Sequence, residues 1–173
     1  MYKRYGHRGD ATEEIVNNIN YLYLIEKTAV VNKIPTPVKV TRYENGKILL
    51  GFFETQSTVD YHGAYNGIPI CFDAKETNLA SFPLKNLHQH QVDYMNDFNK
   101  IGKGIAFILC FCSKNNTYYY MPIKLINKYW DAALSNLGRK SIPFKELEHY
   151  KIPIRDGLPD YLEMVKKEIE GGI

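Results

Sequence analysis

The sequence predicts an α/β fold, a mixed β-sheet flanked by helices with a projecting β-hairpin. Three observations predict it. Residues 10–27 carry apolar side chains at helical spacing, several strand-like segments follow, and residues 105–111 form a continuous apolar run. The chain has 173 residues, a length typical of one domain with a substantial core. We therefore expect a single domain over residues 1–173.

The first predicted element is an amphipathic helix, since Ile15, Ile19 and Leu22 recur at helical spacing. The segment that precedes them resembles a capping box, which stabilises a helix start. Glu13 and Glu14 lie in this first turn, where acidic side chains interact favourably with the helix dipole. We assign them that structural role rather than a metal-binding one.

A β-hairpin is predicted after a short strand at residues 29–31. The Pro-Thr-Pro segment at residues 35–37 is incompatible with a regular ladder, so the chain should extend away there. Alternating segments then flank Asn45-Gly46, a dipeptide that favours a type I′ turn. We expect a projecting stalk at about residues 33–54.

The next two segments carry the residues most suited to catalysis. Residues 61–67 contain glycines and aromatics that indicate a turn, and residues 70–75 alternate as a half-buried strand. Alternation places Asp73 and Lys75 on one face of that strand. A hairpin would bring both of them close to Asp60.

Two carboxylates and an amine in this arrangement suggest metal-dependent phosphodiester cleavage. Mg²⁺ prefers oxygen ligands and keeps several waters, so Asp60 and Asp73 with substrate phosphate would suffice to hold it, with Mn²⁺ as a substitute. The ammonium of Lys75 would stabilise charge that develops in the transition state. The structural alternative is an aspartate beside a turn and an Asp-x-Lys on a solvated strand face.

The later elements are predicted in the same way. Residues 84–98 show helical spacing, and Gln91 lies within the apolar stripe, where its amide needs hydrogen-bond partners. The apolar run at 105–111 indicates a central strand covered on both faces. A further strand, a helix after Pro122 and a short terminal helix over residues 161–169 complete the chain.

The net charge of +3 is only mildly basic, so any nucleic-acid contact must come from local clusters. Such clusters occur at Lys3, Arg4, His7 and Arg8, at Lys33, Lys39, Arg42 and Lys47, and at Arg139 with Lys140. The alternative for each basic residue is an ordinary solubilising surface position.

Three cysteines in apolar strands indicate buried thiols and not a disulfide framework. The longest apolar run, residues 104–112, is too short to span a bilayer. We therefore expect a cytoplasmic protein without membrane contact.

Several motifs closely resemble the RecU family of Holliday junction resolvases, within the P-D-(D/E)-x-K nuclease superfamily. They are S-T-V-D-Y-H-G at 57–63, F-D-A-K-E-T at 72–77, F-P-L at 82–84 and H-Q at 90–91, with further matches at 8–9, 33–37, 141–144 and 159–162. The resemblance covers nearly the whole chain. It implies a restriction-endonuclease-like core whose hairpin serves as the stalk.

The resemblance also implies a function and a set of site residues. The function is structure-selective cleavage of four-way DNA junctions by paired, metal-dependent nicks in recombination and repair. A homodimer and contacts with recombination proteins are expected. The implied residues are Asp60 and Asp73 as metal ligands, Lys75 as the catalytic lysine, Thr58 and Gln91 in the metal site, Glu76 in support, and Arg8, Lys33, Lys39 and Arg42 on DNA.

Two departures from the family keep other functions open. Many members carry Glu where this chain has Asp73, and the segment between Pro37 and Ser57 is short for a stalk. One alternative is a protein that binds or remodels branched DNA with little cleavage. A second is a less selective repair endonuclease with the same catalytic residues.

Overall fold

The computed structural model describes residues 8–53, 58–135 and 138–173. In the first of these ranges the side chains are described only for residues 11–52. In chain order the elements are α1 (Arg8–Ile25), β1 (Ala29–Lys33), β2 (Val38–Glu44), β3 (Lys47–Phe53), β4 (Tyr61–Tyr65), β5 (Ile68–Thr77), β6 (Ser81–Pro83), α2 (Gln89–Lys100), β7 (Ile105–Cys112), β8 (Thr117–Pro122), α3 (Ile123–Leu134), β9 (Ser141–Pro143), β10 (Ile154–Arg155), β11 (Leu158–Pro159) and α4 (Leu162–Ile169).

A five-stranded sheet in the order β1-β4-β5-β7-β8 lies at the centre. Its β5–β7 pair is parallel, and the β1–β4, β4–β5 and β7–β8 pairs are antiparallel. The sheet is therefore mixed, as the sequence predicts.

Apolar side chains cover both faces of this sheet. Phe107 and Leu109 of β7 join a core that also contains buried residues of α1 and α4. Ile108 and Cys110, which alternate with them, join a second core that contains residues of α2 and α3. The prediction of a central strand covered on both faces is confirmed.

The β2 and β3 strands form a separate two-stranded sheet. Asn45 and Gly46 have φ angles of 49° and 77°, as a type I′ turn requires. Every residue of β2 is exposed to solvent. The predicted hairpin is confirmed, but its predicted start is wrong because Lys33 belongs to β1 and pairs with Tyr61 of the central sheet.

The predicted turn at residues 61–67 is also wrong for most of its length. Residues Tyr61–Tyr65 form β4, and only Asn66 and Gly67 turn, with φ angles of 49° and 79°. Gly63 permits this pairing because a Cβ there would lie 2.3 Å from the Val30 carbonyl oxygen of β1. The glycine therefore marks close strand packing and not a turn.

The second helix begins later than the sequence predicts. The helical spacing predicted from residue 84 begins as a 3₁₀ turn at Leu84–Asn86, and α2 starts only at Gln89. The three cysteines are free and buried, as expected. No helix in the described ranges is long and apolar enough to cross a membrane.

Candidate active site

The β4–β5 hairpin brings two carboxylates together. Tyr61 pairs with Phe72, so Asp60, which directly precedes β4, lies beside Asp73 of β5. The Asp60 backbone N–H donates to Asp73 Oδ1 at 3.0 Å, and the Ala74 backbone N–H donates to Asp60 Oδ2 at 3.0 Å. The backbone of Asp60 therefore holds the Asp73 carboxylate, and the backbone of Ala74, which follows Asp73, holds the Asp60 carboxylate.

Gln91 of α2 contributes a further hydrogen bond to Asp73. Its Nε2 donates to Asp73 Oδ2 at 2.9 Å, and its Oε1 accepts from the His88 backbone N–H at 3.2 Å. Both side chains are buried, with 7% of Gln91 and none of Asp73 exposed. Gln91 therefore presents its amide nitrogen to Asp73 while its oxygen accepts at the start of α2, and this geometry favours Gln91 as a positioning residue for Asp73.

Lys75 lies two residues beyond Asp73 on the same face of β5 and forms an ion pair with Asp73 Oδ2. The Lys75 side chain is 23% exposed, so it extends from the buried carboxylate toward solvent. The residue between them, Ala74, points to the opposite face and packs against the core that contains residues of α1 and α4, as strand alternation predicts. The structure thus brings together Asp60, Asp73 and Lys75.

The electrostatics of this cluster suit a divalent cation. Burial, together with repulsion and hydrogen bonding from Asp73, raises the pKa of Asp60 to about 6. An ordinary Asp pKa is about 3.9, so the protein holds this pair of acids at an electrostatic cost. A cation held by these carboxylates would offset the part of that cost that comes from repulsion between them.

The donor set also fits Mg²⁺ or Mn²⁺. Within the described ranges no group of three or more His, Cys, Asp or Glu residues could hold a metal. Two carboxylates completed by water and phosphate oxygens are what Mg²⁺ commonly uses, whereas zinc sites need more nitrogen or sulfur ligands. The site therefore fits a hard cation.

The early part of α1 contacts this region through Thr12, which the sequence did not single out, and through Glu13, which it assigned to the helix dipole. Thr12, which is buried, donates from Oγ1 to Glu76 Oε2 at 3.0 Å. Glu13 forms an ion pair with Lys33 of β1. The prediction that this segment forms a capping box is wrong, because α1 already includes Arg8 and the segment lies within the helix. Sequence spacing does not show contacts between α1 and β5.

The remaining predicted site residues lie in the segment before Asp60, on β2 and at the start of α1. Thr58 is exposed two residues before Asp60. Lys39 and Arg42 are exposed on β2. Arg42 forms an exposed ion pair with Glu44, with 3.7 Å between Nη2 and Oε2. Arg8 begins α1, but its side chain lies outside the described residues.

Metal binding predicts a change in thermal stability that needs no substrate. At a free Mg²⁺ or Mn²⁺ concentration tenfold above Kd, binding to the folded state contributes about 1.4 kcal/mol. For a chain of this length the melting temperature should rise by about 3–6 °C. Differential scanning calorimetry of wild type and Asp60→Asn checks this, and an equal rise in both would contradict metal binding at Asp60.

Comparison with known proteins shows extensive similarity. A family model described as Recombination protein U matches residues 7–167. The chain is 40% identical to the Holliday junction resolvase RecU of Pediococcus pentosaceus, over 96% of this chain and 86% of that protein. It is 39% identical to RecU of a Geobacillus species, over 94% and 85% respectively. Among solved structures, Archaeoglobus fulgidus Hjc, a Holliday junction resolvase, aligns at 8% identity with a TM-score of 0.43, over 68% of this chain and 74% of that one.

Proposed function

The chain belongs to the recombination protein U family, and we propose that it is a structure-selective DNA endonuclease. It resolves four-way junctions by paired, metal-dependent nicks in recombination and repair. The observation that carries this proposal is the joint placement of Asp60, Asp73 and Lys75 at one end of the β4–β5 hairpin. Cleavage of a synthetic four-way junction, with linear duplex as the comparison, tests it.

We infer that Asp60 and Asp73 hold a divalent cation, Mg²⁺ or Mn²⁺, with the exposed Thr58 beside them. A bound cation of this kind neutralises charge on the scissile phosphate and lowers the pKa of coordinated water. The backbone N–H groups of Asp60 and Ala74 fix the two carboxylates before substrate arrives. Such preorganisation lowers the cost of reaching the transition state.

Lys75 and Gln91 both contact Asp73 Oδ2. The Lys75 ammonium pairs with buried Asp73 and is itself partly exposed to solvent. From there it would stabilise the negative charge that phosphate oxygens gain during cleavage. Gln91, which lies on α2, donates to Asp73 Oδ2 and so keeps Asp73 in its orientation. Glu76 supports the site by joining β5 to α1 through Thr12.

The β2–β3 hairpin would contact the branched DNA. It presents Lys39 and Arg42 to solvent, where phosphate groups can reach them. Tyr43, also on β2, is 68% exposed and could stack on an unpaired base. Arg8, which begins α1, and Lys33, which ends β1, belong to the same proposed set of DNA-binding residues.

Replacement of Lys39 and Arg42, the basic residues of β2 proposed to contact DNA, should weaken junction binding and make it less dependent on salt. For Lys39→Ala with Arg42→Ala, the slope of log K against log salt should fall by roughly 0.9 per lost phosphate contact, about 2 in total. Fluorescence anisotropy across a salt series measures that slope. The double variant Lys114→Ala with Lys166→Ala, at exposed sites outside the hairpin, should keep the wild-type slope. An equal change in both pairs would argue against DNA contact by the hairpin.

We also infer a single nuclease domain over residues 1–173 that acts as a homodimer. A twofold dimer would match the approximate twofold symmetry of a four-way junction and place one cluster on each of two opposed strands. Contacts with other recombination proteins belong to the same proposal. Light scattering at concentrations that support cleavage tests the dimer, and a monomer alone would exclude it.

A further inference from the structure

An apolar groove lies between the paired strands β6 and β9, the 3₁₀ turn that precedes α2, and the last turns of α3. Its volume is about 620 Å³. The apolar side chains that line it include Leu79, Leu84, Leu87, Trp130, Ala133 and Leu134. Leu79 and Leu134 are largely exposed, at 49% and 65%. Concave apolar surface of this kind is suited to bind the apolar side chains of a ligand.

The charge at this groove has one sign. Lys85 and Lys140 both line it and are exposed, and the described lining residues include no acidic side chain. Arg139, which adjoins Lys140, already has a carboxylate partner in Glu146 at 3.2 Å. The two lysines therefore remain to attract negative charge from a ligand.

We propose that this groove binds an acidic amphipathic segment of a partner protein. Apolar side chains of the segment would occupy the leucine-lined floor, and its carboxylates would pair with Lys85 and Lys140. An amphipathic helix in an apolar groove is a common mode of peptide recognition. No part of the proposed catalytic cluster contributes to the groove.

A protein segment fits this lining better than DNA does. Phosphate recognition needs cations but gains little from leucine and alanine side chains. Stacking of bases needs aromatic platforms, and Trp130 is the aromatic residue among those that line the groove. Its indole Nε1 also donates to Gln89 Oε1 at 3.3 Å, which fixes the ring against α2.

Trp130 supplies a direct measurement because the chain contains one tryptophan. The probe is a synthetic helical peptide of about four turns, with leucines along one face and glutamates flanking them. Titration should change Trp130 fluorescence saturably. A peptide with lysine in place of glutamate, and one with the same composition in scrambled order, should each bind at least about tenfold more weakly, equivalent to about 1.4 kcal/mol.

Two sets of variants locate the binding surface. Leu134→Asp should weaken peptide binding at least about tenfold, whereas Ile101→Asp, at a 78% exposed site that ends α2, should bind as wild type does. Lys85→Glu with Lys140→Glu should reverse the preference, so that the lysine peptide binds better than the glutamate peptide. Circular dichroism monitors the fold of each variant.

Several outcomes would overturn the proposal. Equal binding of the acidic, basic and scrambled peptides, or binding that Leu134→Asp leaves intact, would remove the groove as its site. Quenching of Trp130 by duplex or junction DNA, with no response to the acidic peptide, would assign the surface to nucleic acid. Self-association that Leu134→Asp abolishes, again without a peptide response, would assign it to a second copy of this chain.

Discussion

Asp60→Asn should abolish metal-dependent cleavage while the protein remains folded. Asparagine keeps an oxygen that can accept the Ala74 N–H, but it removes the negative charge that a cation needs. Loss of one electrostatic stabiliser from a preorganised site typically costs about 10²–10³ in rate. We expect at least that loss in single-turnover cleavage of a four-way junction.

The same substitution should not destabilise the metal-free protein. Repulsion from Asp73 contributes to the raised pKa of Asp60, and asparagine removes that repulsion. The melting temperature in EDTA should therefore equal or exceed that of wild type. Asp97→Asn, at an exposed site on α2, is the matched control and should keep full cleavage. Full cleavage by Asp60→Asn would exclude Asp60 from the metal site.

Lys75→Met should reduce cleavage strongly with little effect on junction affinity. Methionine keeps much of the aliphatic stem but removes the ammonium that pairs with Asp73. We expect a rate loss of about 10²–10³, measured in single turnover at saturating Mg²⁺. Junction Kd measured in EDTA should rise by less than about threefold, since one cation is a small part of the phosphate contacts.

Lys100→Met, an exposed position at the end of α2, controls for loss of a positive charge. It should retain wild-type cleavage and affinity. If the Kd of Lys75→Met instead rises in proportion to its loss of rate, Lys75 is a phosphate-binding residue and not a catalytic one. That result would favour the reading in which the chain binds branched DNA with little cleavage.

Strand alternation and turn chemistry made much of the site predictable. The spacing of Asp73 and Lys75 placed them on one face, and the structure shows their ion pair. The Asn45-Gly46 turn located the hairpin because few other dipeptides adopt two positive φ angles. These features depend on neighbours in sequence, so the sequence alone contains them.

Contacts between distant elements were not predictable in the same way. The bond from Thr12 to Glu76 joins residues 64 positions apart, and the spacing of α1 alone does not show which strand it meets. Gln91 was expected near the catalytic strand, but only the fold shows that its oxygen caps α2 while its nitrogen holds Asp73. Gly63 and Gly67 indicated a turn, which forms only at Asn66 and Gly67, whereas Gly63 is required by the close approach of β1.

Cleavage of a synthetic four-way junction, with linear duplex of the same sequence alongside, distinguishes a structure-selective nuclease from the two alternatives. In Mg²⁺ we expect symmetric nicks in two opposed strands of the junction, little cleavage of duplex, and none of either in EDTA. Tight junction binding without nicks in Mg²⁺ or Mn²⁺ would contradict the assignment as a nuclease. Equal cleavage of junction and duplex would contradict structure selectivity and favour a less selective repair endonuclease.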